Sequence, residues 1–321
     1  MPTNVAKNRK IFPHFPELPP ELRMMVIDEM QPDDRCRFTG CSHRCWIEGR
    51  RSKKYIYGLE LSAYNVENFI NIKVVFNEDE YNEQGFELQI RDDYGRRFLI
   101  YRSIQNYQEF WRMEFNDSVD LAQITFEKFK SILNLFQNTI KKLVIRDGIL
   151  KNQDFGVNSL RNLEILELED ENDITQFITK IRKPLKRFIF DENLDKYFEQ
   201  ISQVQMELYA YSLELNYQQF LQLSASKINI SIGKLTEVNI SHFINLWRNG
   251  KIRENFKKCI WNVKNSDFNV QKLYQLLRIE HRGSKGEKTE IKHNKDAGRT
   301  SEISVHEYSS FCELSFCVIL D

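Results

Sequence analysis

The chain has 321 residues, 41% of them hydrophobic and 29% charged, and its 46 basic residues balance 46 acidic ones. A formal net charge of zero gives no bulk field to draw nucleic acid or an acidic membrane. No stretch approaches the ~18 apolar residues that a membrane span needs. Composition and length fit a soluble globular chain of about two domains, with phenylalanines plentiful enough to fill a large core.

Residues 1–14 carry Lys7, Arg9 and Lys10 but no apolar run, so they read as a disordered lead-in rather than a secretory signal. From Phe15 the pattern changes. Leu18 precedes Pro19-Pro20, and proline suits a first helical turn because its missing N–H has no partner there anyway. Glu21 adds a negative charge at the positive end of the helix dipole. Leu22, Met25, Val26 and Met30 recur at helical spacing as an apolar stripe, and Pro32 stops the helix. Asp33 can cap a second short helix carrying Arg35 and Phe38, and Cys41, Cys45 and Trp46 form a third apolar edge. Three such helices expose more apolar surface than they can bury on one another, which marks an interaction site.

The run Leu18-Pro19-x-Glu21-Leu22 … Val26-Ile27 … Met30 … Asp33-x-Arg35 … Cys41-Ser42 … Trp46 resembles an F-box of the nematode type. It departs from that pattern at Arg35-Cys-Arg-Phe-Thr-Gly-Cys41, where a Leu-x-x-Val/Leu-Cys run is more usual. The resemblance implies a docking face for a Skp1-like adaptor, and through it a cullin, made by Leu18, Pro19, Leu22, Val26, Ile27, Met30, Asp33, Arg35 and Trp46. It bounds an F-box at residues 15–55.

The cysteines give no metal pattern. Cys36, Cys41 and Cys45 with His43 have the spacing C-x4-C-x-H-x-C, and no C-x2-C pair completes a site. Cys259, Cys312 and Cys317 sit singly in apolar stretches and read as buried free thiols.

β signals follow. Lys54–Leu61 and Asn71–Phe76 alternate as strands, with a polar loop from Asn77 to Gly85. Phe86–Arg91 and Arg97–Arg102 flank Asp92-Asp-Tyr-Gly95, a hairpin turn. Phe126, Phe129, Ile132, Leu133 and Phe136 then fit one helix face. From there to about residue 280 a helix and a short apolar strand alternate. The strands are expected at Lys142–Ile145, Leu163–Leu168, Leu185–Phe190, Ser212–Leu215, Lys227–Ile232 and Cys259–Val263. The helical patterns between them run Ile174–Ile181, Leu194–Val204, Tyr217–Leu223 and Val238–Trp247. The spacing falls near that of leucine-rich repeats, and Ser159–Glu169 resembles the L-x-x-L-x-L core of that repeat.

Val238-Asn-Ile-Ser-His-Phe-Ile-Asn-Leu-Trp-Arg-Asn-Gly250, followed by Phe256–Val263, resembles the nematode F-box-associated domain. Phe243 and Trp247 share a helix face as core anchors, and Gly250 suits the helix end. The tail from Arg282 to Glu302 reads as a flexible hairpin arm, and Glu302–Tyr308 with Phe311–Ile319 as a closing hairpin around Ser309-Ser310. Gly283-Ser-Lys-Gly-Glu-Lys-Thr289 fails as a phosphate loop because Glu287 separates Gly from Lys.

The expected fold is α+β / α/β: a small N-terminal helical F-box, then an irregular leucine-rich-repeat-like α/β solenoid over 56–321 with a closing β-hairpin. The F-box-associated segment falls at about 200–265. No catalytic constellation is present: the histidines are scattered, and G-x-S-x-G, H-E-x-x-H and Rossmann glycines are absent. A non-enzymatic chain without cofactor is expected. The resemblance implies a substrate-recognition subunit of an SCF-type (Skp1–cullin–F-box) ubiquitin ligase, cytoplasmic or nuclear, that holds an unknown protein target. The alternative is a stand-alone interaction module whose N-terminal helices only cap the first repeat.

Overall fold

The computed structural model describes residues 15–30, 34, 38, 56–64, 69–79, 81, 83–93, 96–105, 107, 109–115, 120–146, 154–169, 175–191, 195–211, 213, 215–232, 234–264, 268–279, 288–294, 299–308 and 311–320. A 3-10 turn at Phe15–Glu17 leads into helix α1, Pro20–Glu29. Pro20 occupies the first helical turn, as its fixed φ favours. The helix ends one residue earlier than the apolar pattern suggests, because Met30 is already in an extended conformation.

An antiparallel meander follows: β1 Gly58–Tyr64, β2 Phe69–Val75, β3 Gly85–Asp93, β4 Arg96–Ser103 and β5 Glu109–Phe115. The first strand is described from Gly58, and the start of the expected strand, residues 54–55, lies outside the described residues. Tyr57 already bonds on both sides, its N–H to Val75 O and its carbonyl to Lys141 N and Lys142 N. β5 falls outside the expected strands, although Trp111, Met113 and Phe115 alternate with Arg112 and Glu114. Helix α2, Leu121–Phe136, is capped by Asp120 and buries the whole expected face.

Next come β6 Lys142–Arg146, β7 Ile165–Glu169, β8 Arg187–Phe190, β9 Glu207–Ala210, β10 Lys227–Ile232 and β11 Lys258–Lys264. Each is parallel to the one before, and β6 is also parallel to β1. Between them lie α3 Thr175–Ile178, α4 Phe198–Ser202, α5 Tyr217–Gln222 and α6 Glu237–Arg248. α7, Val270–Leu277, was not among the expected helices; Asn269 caps it, and Leu273, Tyr274 and Leu277 are buried. β12 Lys288–Lys292, β13 Arg299–Glu307 and β14 Phe311–Leu320 complete one 14-stranded sheet in the order β12-β13-β14-β11-β10-β9-β8-β7-β6-β1-β2-β3-β4-β5. Among the described residues the sheet does not close on itself: β12 and β5 each pair on one side only.

Two expectations are corrected. The fourth strand of the parallel run is Glu207–Ala210, not Ser212–Leu215. The turn at Gln205 and Met206 is fixed by N–H bonds to the carbonyls of Leu185 and Lys186, so the chain is in register by Glu207. Leu213 and Leu215 are fully buried, but they reach the core from the segment beyond the strand. The polar tail contributes β12 to the sheet rather than a free arm: β12 pairs with β13, and Ile291 is buried beneath it. The closing hairpin forms as expected, with Val305 opposite Leu314.

Register explains the core. Leu59, Leu143, Leu166, Phe188, Leu208, Ile228 and Cys259 are consecutive partners, as are Leu61, Ile145, Leu168, Phe190, Ala210, Ile230 and Trp261. Side chains alternate faces along a strand, so both rows point the same way. They share one cluster with the buried side chains of α2 to α7. Ile27, though fully buried, lies outside that cluster. No described helix is long and apolar enough to cross a membrane.

Candidate partner-binding surfaces

The F-box-like residues divide by exposure. Leu18 is half-buried and Pro19 exposed; Arg23 Nη1 donates to the Leu18 carbonyl at 2.7 Å and ties the turn to the helix. Leu22 is 45% exposed and Met25 63%, large values for apolar side chains on one helix face. Val26 and Met30 are half-buried, and Ile27 alone is fully inside. Phe15 meets Phe38 edge to face, ring centroids 5.1 Å apart, so the segment beyond the helix returns to its start. Asp33, Arg35 and Trp46 lie outside the described residues, as do Cys36, Cys41, His43 and Cys45.

The F-box-associated pattern is a core feature. Trp247 is 1% exposed, with its ring 5.1 Å from His293 and 5.2 Å from Phe316, and Phe243 stacks edge-on against Phe220, Phe256 and Trp261. Gly250 has φ +63°, the left-handed conformation that ends the helix. Both were legible from helical spacing.

The second surface is the sheet face opposite the helices, which sequence reading left undefined. An ion-pair ladder crosses it. Arg146 on β6 contacts Glu167 on β7 at 2.8 Å, and Glu167 also meets Arg187 on β8 at 3.4 Å. Arg187 reaches Glu207 on β9 at 3.5 Å, and Glu207 meets Lys227 on β10 at 2.7 Å. That hydrogen bond and charge hold the Lys227 pKa above the ordinary lysine value. The sequence signal was there: basic and acidic residues alternate at roughly the repeat interval of about 20 residues.

The ladder ends beside a polar cavity of about 220 Å³, lined among others by Glu60, Asn71, Lys73, Glu87 and Arg146. Glu60 pairs with Lys142 at 2.8 Å. Burial pulls Lys73 down, but its bond to Glu83 and the fields of Glu60, Glu83 and Glu87 outweigh that and raise its pKa. Asn71 is 8% exposed, and its Oδ1 has no hydrogen-bond partner among the described residues. This face is charged, pre-ordered and suited to polar contacts.

His306 and Cys312, close in sequence, end on opposite faces: Cys312 is buried and His306 exposed, and His306 pairs in register with Glu313. Tyr217 Oη lies 2.7 Å from His242 Nδ1 on the exposed helical side, and desolvation raises the tyrosine pKa. Burial likewise pushes the Cys259 thiol well up, away from nucleophilic use. Among the described residues no group of three His, Cys, Asp or Glu side chains is arranged to hold a metal ion.

Comparison with protein-family models, with curated proteins and with solved structures found no match for this chain.

Proposed function

We propose that this chain is the substrate-recognition adaptor of an SCF-type ubiquitin ligase. Its N-terminal helices form an F-box that docks on a Skp1-like adaptor, and the remainder is an irregular leucine-rich-repeat-like solenoid that holds a protein target. The adaptor itself performs no chemistry. It raises the local concentration of the target at the transfer site.

One observation carries the reading: Leu22 and Met25 are solvent-exposed on a helix that stands outside the main core. A helix serving only to cap the sheet would bury that stripe on the residues beyond 55. The Leu18-Pro19 opening and the F-box-like order of residues around it give the adaptor's identity. Parallel strands β6 to β11 in sequence order, with the described helices α2 to α7 packed into one shared core, support the solenoid.

The test is co-purification of the full chain with a Skp1-type adaptor, for wild type, Leu18→Ala/Pro19→Ala and Leu22→Glu/Met25→Glu. The expected result is a stoichiometric wild-type complex that both variants lose, with thermal midpoints unchanged. Absence of a wild-type complex would leave a stand-alone interaction module.

A further inference from the structure

The parallel strands begin along one edge, and three successive turns bring Lys141, Glu164 and Lys186 to equivalent positions there. Each of the three carbonyls accepts two consecutive N–H groups from the next turn: Lys141 from Glu164 and Ile165, Glu164 from Lys186 and Arg187, Lys186 from Met206 and Glu207. Adjacent strands lie ~4.8 Å apart, so the backbones of Lys141 and Lys186 stand roughly 10 Å apart along the edge. A groove of about 430 Å³ opens beside them, with Lys183 on its wall and apolar Leu163 and Pro184 in its lining. A smaller cavity of about 140 Å³ shares Lys183 and Pro184 and adds Arg182.

The charges do not balance. Lys186 contacts Glu164 at 2.7 Å and also lies in the field of Glu78, so that lysine is neutralised. Lys141 and Lys183 have no carboxylate partner among the described residues. A chain with zero net charge thus concentrates uncompensated cations in one groove.

We propose that this groove docks an extended acidic segment, rich in Asp or Glu, of a partner protein. The two cations free among the described residues come from different connections, Lys141 from the one before β6 and Lys183 from the one before β8, which suits successive carboxylates of a chain better than a single phosphate. Both are lysines, point charges without the bidentate fork that favours phosphate clamps. No exposed aromatic side chain lines the groove for base stacking, which argues against single-stranded nucleic acid. Exposed Pro184 supplies apolar contact area for the stems of the partner's side chains. This inference does not depend on α1 or on any adaptor.

The test uses the full chain alone and fluorescence anisotropy with three labelled probes: octaglutamate, octalysine and a neutral Gly-Ser peptide carrying one phosphoserine. Octaglutamate is expected to bind saturably, and more weakly as salt rises. Lys141→Glu/Lys183→Glu should weaken it at least about tenfold, whereas reversal of exposed lysines away from that edge, Lys264→Glu/Lys292→Glu, should not. The milder Lys141→Gln/Lys183→Gln, expected to cost about threefold, keeps the test valid if charge reversal unfolds the chain. Equal losses in the groove and control pairs would overturn the proposal, as would absence of saturable binding. Tighter binding of the phosphoserine peptide would overturn it in favour of a phosphate pocket. Self-association lost in the groove variant, with no competition by octaglutamate, would assign the groove to a second copy.

Discussion

Arg146 Nη2 donates to Glu167 Oε2 across 2.8 Å, from one parallel strand to the next, and the carboxylate that receives it is 3% exposed. Glu167 also lies in register between Val144 and Ile189, both buried. It is a charge placed in an apolar row and stabilised by two arginines. Glu167→Ala removes the acceptor and leaves a cavity, and is expected to cost about 2–3 kcal/mol by urea denaturation. Glu167→Leu fills the row and should cost less than the alanine variant. A larger loss for leucine would mean that charge, not packing, dominates the site.

Gly85 opens β3 directly against β2. A Cβ at this position would overlap the Val74 carbonyl oxygen and meet Ile104 Cδ1 at 2.9 Å. Replacing glycine by alanine in a strand ordinarily stabilises through the unfolded state. Here the clash is with backbone that cannot rotate away, so Gly85→Ala is expected to destabilise by about 2–4 kcal/mol. A chemical denaturation midpoint at or above that of wild type would contradict this close approach.

Glu237 joins two helices. Its carboxylate accepts the Asn269 N–H at 2.7 Å and an Lys272 Nζ–H at 3.2 Å, so the start of α6 holds the start of α7. Burial pushes its pKa up, but the backbone bonds and Lys272 more than offset this and set it below the ordinary 4.5. A depressed carboxylate stabilises the fold above its unfolded pKa and loses that contribution as pH falls through its folded pKa. The stability gap between wild type and Glu237→Gln should therefore be full at neutral pH and shrink below about pH 4.5. Urea midpoints measured across that range give the answer. A gap independent of pH would point to geometry rather than charge.

The helix faces make opposite predictions. Trp247→Ala empties a fully buried site between His293 and Phe316, and is expected to cost about 3–5 kcal/mol. Leu22→Ala/Met25→Ala touches exposed side chains, and should change thermal stability by less than about 0.5 kcal/mol. Marked destabilisation by the second pair would place the helix in the core after all.

The long periodic elements were readable because their burial follows one period. α2 needed only Phe126, Phe129, Ile132, Leu133 and Phe136, and α6 only Phe243 and Trp247. Most parallel strands are short apolar runs bounded by polar turns, and were also found. The fourth was misplaced because two alternating segments stand side by side. Leu208 and Ala210 are less apolar than Leu213 and Leu215, yet the turn at Gln205 sets the register. The ladder through Glu167 left only a faint trace in the sequence, charges of alternating sign about 20 residues apart, and the lysine groove left none. Both depend on which residues become neighbours across strands, a property of register rather than of local pattern. At the N-terminus the sequence supplied the order of the helical residues, and exposure separated Leu22 and Met25 from Ile27.

The strand order also bears on how the chain folds. From β6 to β11 every strand pairs with the strand next in sequence, so each step closes a loop of only about 20–30 residues. Two joints are different: β1 reaches past the meander and α2 to pair with β6, and β14 returns over β12 and β13 to pair with β11. The middle can therefore form by local zippering, while both ends wait for long-range closure, the slower event. Fraying should start at those two joints, and amides of β7 and β8 should be the last to exchange with solvent.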